Sequence, residues 1–325
     1  MPEYCVTGGT GFIASHLIRA LLAAGHTVRA TVRDPADEAK VGFLWDLEGA
    51  DERLQLVRAD LLVKGSFDDA VSGVDGVFHT ASPVVVGYDD GEDAQAKLVD
   101  PIVLGAANVL RSCARATPAP PRRIVFTSSC SCVRYSSHHP PSLNETHWSD
   151  TGYCQSYGLW YAYAKTVAEK EAWRLAKQHG LDLVVVNPSF VVGPVLAPAP
   201  TSTALVVLAL LRGELGKYPN TTIGFVHVDD AVLAHILAME DGRAKGRLVC
   251  SGDVAHWSEV LGALREQYPQ YPIPTECSGQ KGDDRAHKMD TGKILALGFP
   301  PFLSIRQMFD DCIKSFQDKG LLPLI

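Results

Sequence analysis

The stretch Tyr4-Cys5-Val6-Thr7-Gly8-Gly9-Thr10-Gly11-Phe12-Ile13-Ala14 restricts the fold more than any other part of this chain. A short apolar run with the make-up of a buried strand passes straight into glycines, and an amphipathic run over residues 12–24 follows. Strand, glycine turn and helix in that order form a cradle for a dinucleotide pyrophosphate. Gly8 permits the tight turn, Gly11 lets the backbone approach the phosphates, and small Ala14 lets helix and strand pack closely. The helix start offers unpaired N–H groups and a positive dipole end to the anion.

The rest of the first half repeats this alternation. Strand-like runs fall at 3–7, 27–32, 54–59, 76–80, 124–128 and 183–187, with helical patterns at 13–24, 96–116 and 159–178. Such an order predicts an α/β fold, a doubly wound parallel Rossmann sheet with ligands beyond the carboxyl ends of its strands. The character changes after Pro188: the proline-rich run 193–200 leaves the sheet, and helices are expected at 204–212, 231–240 and 305–319. Polar 280–285 reads as a mobile loop. No apolar segment is long enough to span a bilayer, and a net charge of −7 without a basic face argues against nucleic-acid binding. The N-terminus enters the first strand at once, with no room for a signal peptide, so a cytoplasmic protein is expected. Its eight cysteines are scattered, which favours free thiols over disulfides or a metal site. The aspartates of His227-Val228-Asp229-Asp230 read as a helix cap in preference to metal ligands, and His79 as structural.

A second motif carries the chemistry. Tyr161 and Lys165 are four apart on a predicted helix, so both can face one cleft. A phenol titrates near 10; a nearby ammonium, with a positively charged oxidised nicotinamide, is expected to lower that value and make Tyr161 a general acid. Ser129, after the strand ending near Thr127, can hold the same carbonyl oxygen, with Ser128 in reserve. At the end of the second strand, Arg33 followed by Lys40 predicts a grip on the 2′-phosphate of NADPH/NADP+. Asp34 is the competing ribose ligand, but Asp34-Pro35 reads better as a helix start.

With these motifs the chain resembles the extended short-chain dehydrogenases/reductases, in the plant group of dihydroflavonol and cinnamoyl-CoA reductases. The likeness runs nearly end to end and is carried by residues 28–35, 65–68, 76–83 and 187–194. Within that group the tetraketide α-pyrone reductases are most similar, through residues 2–4, 40–45, 255–259 and 308–312. The resemblance implies that Asp60 and Leu61 flank the adenine and that Thr80, Ala81 and Ser82 run beside pyrophosphate and ribose. Pro188 and Val191 would support the nicotinamide, and Ser202 joins the cofactor contacts along with Gly8, Thr10, Gly11, Phe12 and Ile13. It implies a nucleotide domain over 1–187, with 225–250 packing back on it, and a smaller C-terminal α/β substrate domain over 188–325. The implied substrate is a small-molecule carbonyl, a hydroxyalkyl tetraketide α-pyrone of sporopollenin biosynthesis in pollen walls, with loose association with polyketide-pathway enzymes. Alternatives are a dihydroflavonol, an aldehyde or a cinnamoyl-CoA thioester, or a non-catalytic NADPH sensor. Arg134 stands where dihydroflavonol reductases carry asparagine, and Leu159–Lys165 departs from the cinnamoyl-CoA reductase signature. Arg134 reads equally as a contact for a substrate oxygen or as a solvated surface residue.

Overall fold

The short Val- and Ile-rich runs become strands buried on both faces, which is the form a parallel sheet takes when helices cover it above and below. A computed structural model describes residues 1–83, 91–138, 140–281 and 283–324. Seven strands build the main sheet: β1 (Glu3–Val6), β2 (Thr27–Val32), β3 (Leu54–Arg58), β4 (Gly76–His79), β5 (Arg123–Thr127), β6 (Leu183–Pro188) and β9 (Gly246–Cys250). They lie in the order β9-β6-β5-β4-β1-β2-β3, and every neighbouring pair is parallel. The chain winds outward one way from β1 and then the other way from β4. A crevice therefore opens between the carboxyl ends of these two strands.

Helices α1 (Phe12–Ala23) and α7 (Val228–Glu240) pack on one face. Helices α3 (Asp100–Arg115) and α5 (Trp160–His179) cover the other. The pattern predicts α3 from residue 96, but the α-helix begins at Asp100, behind a π-helical turn over Gln95–Val99. Pro101, which lacks an N–H to continue the i→i−4 ladder, follows directly on that π-helical turn. Helix α2 (Glu38–Trp45) starts later than Asp34-Pro35 implied. The Asp34 carboxylate instead accepts the Ala36 N–H at 3.2 Å, a local turn that competes with capping.

Beyond Pro188 a three-stranded sheet forms from β7 (Phe190–Val192), β8 (Thr222–His227) and β10 (Val254–His256), in the order β10-β8-β7. Helices α6 (Ser202–Leu211), α8 (Trp257–Gln267) and α9 (Ile305–Asp318) surround it. Phe190, Phe225, Trp257 and Phe309 meet edge to face, with the Trp257 ring 5.2 Å from both Phe190 and Phe225. This cluster is continuous with the core under α1 and α7. The segment that follows β8 returns to the main sheet, α7 covering it and β9 forming its edge. All eight cysteines are free thiols, seven of them buried and Cys277 exposed. Among the described residues, no helix is long and apolar enough to cross a membrane, and no three His, Cys, Asp or Glu side chains gather to hold a metal.

Candidate active site

At the crevice, hydrogen bonds lace the exits of β1 and β4 together. Thr7 accepts the Ala81 N–H on its hydroxyl at 3.0 Å, pairs with His79 Nδ1 at 2.9 Å, and takes the Thr80 hydroxyl on its carbonyl at 2.5 Å. Gly8 is thereby pressed against Ala81. A Cβ at Gly8 would lie 3.0 Å from Ala81 Cβ and 3.1 Å from its Cα, and its φ of +71° already disfavours any side chain. Gly11, at the start of α1, has no side chain to cap the helix, so the first-turn amides around Phe12 and Ile13 stay open. Ser82 Oγ is buried without a partner among the described residues. His79 is buried neutral: desolvation, then the Lys165 charge, push its pKa down to about 3.

The next two strand ends extend the same rim. Arg33 directly follows β2, is exposed, and has no partner among the described residues. Lys40 differs from expectation. It lies on α2, its side chain is 70% exposed, and it pairs with Asp37 at 2.6 Å, so its charge is directed at its own helix start. After β3, Asp60 Oδ1 accepts the Leu62 N–H at 2.8 Å, and Asn108 Nδ2 donates to the Leu61 carbonyl at 2.8 Å, fixing that turn. A glycine cradle that a Cβ would fill, an uncapped helix start, an orphaned buried hydroxyl and a free guanidinium fit a phosphorylated dinucleotide.

The opposite wall carries the reactive side chains. Ser128 and Ser129 follow β5 but face different ways. Ser128 is buried and donates to Glu169 Oε2 at 2.5 Å. Ser129 accepts the Ser131 N–H at 3.1 Å, donates to the Ser131 hydroxyl at 3.0 Å, and lies near enough to the Tyr161 phenol to favour its ionised form. Tyr161 lies in the first turn of α5 and Lys165 one turn on; Lys165 is 3% exposed and donates to the Thr127 carbonyl at 3.0 Å. Burial lowers the Lys165 pKa, with Cys132 and Glu169 opposing. The expected depression of the Tyr161 phenol is not what the chain alone produces. The ring is 47% exposed, yet desolvation of its oxygen, with Cys132 adding to it, pushes the pKa up to about 12; the Ser129 hydroxyl pulls the other way. Lys165 is turned toward Thr127 and is not among the charges that move it. Tyr161 is thus a protonated donor at neutral pH.

The floor of the crevice comes from the turn after β6. The Pro188 carbonyl accepts the Cys130 N–H at 2.8 Å, which ties the serine turn to that strand. Val191 is buried, and its carbonyl accepts the Thr203 hydroxyl at 2.7 Å. Ser202, at the start of α6, has φ +54°, a conformation rare for a residue with a side chain.

Three expectations are corrected here. Arg134, on the short helix α4 (Ser131–Arg134), is not solvated: it is buried, stacks 4.5 Å over the Tyr135 ring, and donates to the Asp283 carbonyl at 2.7 Å and to its carboxylate. Its guanidinium is committed to Asp283 and not held free for a ligand. The segment 280–285, of which Gly282 lies outside the described residues, is correspondingly anchored at Asp283, whose other oxygen accepts the Thr221 hydroxyl at 3.0 Å. Helix α7 is capped by His227, whose Nδ1 accepts the Asp229 N–H at 3.1 Å. Asp229 pairs instead with Arg19, and Asp230 accepts the Leu303 N–H.

Sequence reading missed the ion pair beneath the site. Glu169 and Arg247 are 0% and 6% exposed and meet at 2.6 Å, with the guanidinium 3.9 Å over the Trp148 ring. The signal was present: Glu169 continues the four-residue spacing of Tyr161 and Lys165, and Arg247 is a charge inside an otherwise apolar strand.

A parallel sheet with a phosphate cradle at its switch point, facing a Ser–Tyr–Lys wall, defines a class, and sequence comparison gives it a family. Residues 4–250 match the NAD dependent epimerase/dehydratase family, and the chain belongs to it. The chain is 60% identical over 324 residues to Tetraketide alpha-pyrone reductase 2 of Arabidopsis thaliana, covering 99% of this chain and 100% of that protein. Among solved structures, vestitone reductase from alfalfa superposes with a TM-score of 0.82 at 35% identity, covering 99% of this chain and 100% of that one. The yeast methylglyoxal/isovaleraldehyde reductase, solved as a complex with NADPH, gives 0.82 at 25% identity, covering 98% and 100%.

Proposed function

We propose that this chain is an NADPH-dependent reductase that converts the ketone carbonyl of a hydroxyalkyl tetraketide α-pyrone into a secondary alcohol. The observation that carries the reaction type is the gathering of Ser129, Tyr161 and buried Lys165, the last two one helical turn apart, at the end of β5 beside a phosphate cradle. When bound, the reduced nicotinamide supplies hydride to the carbonyl carbon. Ser129 holds the carbonyl oxygen by a hydrogen bond, and Tyr161 gives that oxygen its proton. A phenol near 12 keeps its proton through the neutral range and yields it only to a stronger base, which an alkoxide is. Lys165, fixed by the Thr127 carbonyl, presents its remaining N–H groups to the ribose hydroxyls. Arg33 holds the 2′-phosphate. Ketone, hydride and proton balance to one alcohol.

The substrate class rests on the 60% identity to an α-pyrone reductase along the whole chain. Tyr161→Phe is expected to cut kcat by about a thousandfold while NADPH affinity stays within about twofold. Unchanged turnover would remove Tyr161 from the reaction. NADPH consumption should be greatest with hydroxyalkyl α-pyrones; preference for a dihydroflavonol or a cinnamoyl thioester would replace the substrate and leave the reaction type standing.

A further inference from the structure

Two groups hold the Ser128-Ser129 turn from below, and both end on one carboxylate. Glu169 Oε2 accepts the Ser128 hydroxyl at 2.5 Å and Asn187 Nδ2 at 2.9 Å. The same Asn187 nitrogen donates to the Ser129 carbonyl at 3.1 Å. Turning the amide over would set its oxygen against two acceptors, so its orientation is fixed even though Oδ1 is left buried and unpartnered. Arg247 holds the other carboxylate oxygen through Nε at 2.6 Å, and also binds the Glu145, His147 and Cys132 carbonyls. Trp173 Nε1 at 3.3 Å and Arg247 Nη2 at 3.5 Å bring the donors on this fully buried carboxylate to five, which hold it in one place.

We infer that Glu169 is a positioning residue for Ser129: through Ser128 and Asn187 it fixes the backbone turn that carries the Ser129 hydroxyl. This rests on the role given to Ser129 above. The chain of contact is Arg247 to Glu169, then Ser128 and Asn187, then the Ser129 backbone. No member but Ser129 touches the reacting oxygen. An ion pair that served stability alone would have no need to bind the turn at two points.

Glu169→Gln would leave Arg247 buried without its counter-charge and risk the fold, so the test cuts the two outgoing bonds instead. Asn187→Ala and Ser128→Ala keep the ion pair. With saturating NADPH and an α-pyrone, Asn187→Ala is expected to lower kcat about 10- to 100-fold, with KM for NADPH within about twofold, as sub-ångström misplacement does. Ser128→Ala should do the same to a smaller degree. On a Ser129→Ala background, either substitution should change kcat by less than about twofold, because the group they position is gone. Equal fold-losses in both backgrounds, or a loss confined to KM, would overturn the inference. Should Ser129→Ala alone leave kcat unchanged, the role of Ser129 falls first and takes this with it. A large Ser129→Ala effect combined with multiplicative losses sinks only the part given to Glu169.

Discussion

The wall beside the serine turn and the lobe around the three-stranded sheet beyond Pro188 are built by opposite means. Around the turn, directional bonds between buried polar groups do the holding: Ser128 and Asn187 with Glu169, Glu169 with Arg247, Lys165 with Thr127. In the lobe, Phe190, Phe225, Trp257 and Phe309 interlock edge to face. Burying polar atoms costs free energy unless each finds a partner, but once paired they admit few alternative geometries. Aromatic packing gains more per residue and tolerates small shifts. The molecule uses the exacting method where atoms must be placed and the forgiving one where a volume must be filled.

The contrast can be broken most sharply in the lobe. Trp257→Ala should cost about 3–5 kcal/mol, read from the urea midpoint at constant slope, because it removes the ring that three phenylalanines share. A loss under about 1 kcal/mol would mean that aromatic packing is not what holds the lobe. On the polar side, His79 and His235 are buried neutral, with burial driving their pKa values down to about 3 and about 4. Their folded values lie below the unfolded one, so stability is whole above about 6.5 and falls as the pH drops toward 4, where only the unfolded chain takes up protons. The slope should approach about 1.4 kcal/mol per pH unit for each imidazole. A midpoint unchanged between pH 7 and 5.5 would show that these rings are not sealed in. At the rim, Arg33→Ala should raise KM for NADPH about 10- to 100-fold and leave that for NADH alone, a charge-assisted contact of about 1.5–3 kcal/mol. Equal effects on both cofactors would remove the 2′-phosphate contact. Lys40→Ala, exposed and paired with Asp37, should shift KM for NADPH by less than about twofold.

What was readable from the chain follows the range of the forces involved. The glycine turn, the parallel strands and the Tyr161–Lys165 spacing are fixed by neighbours within a few residues, so their pattern survives in the letters. Arg134 could not be placed because its partner, Asp283, lies 149 residues away, and no local rule connects the two. Glu169 and Arg247, 78 residues apart, were overlooked for the same reason, although each sits in an apolar context that marks it as unusual. His227 taking the cap from the aspartates after it is a third case. An imidazole accepts an N–H as well as a carboxylate does when neutral, and Asp229 is drawn off by Arg19, 210 residues distant. Tyr161 and Lys165 show the same limit: spacing places the lysine one turn on, but not the Thr127 carbonyl, 38 residues back in the chain, that its ammonium binds.

The uneven placement of sulfur has a practical side. Burial lifts the Cys5, Cys130, Cys132, Cys154 and Cys312 thiols to about 12, leaving almost no thiolate to react. Cys277 stands alone at the surface, in the lobe and remote in sequence from both serines and the tyrosine. One maleimide fluorophore would therefore attach at a single known point in the native protein, giving an optical reporter at Cys277 without any engineered mutation.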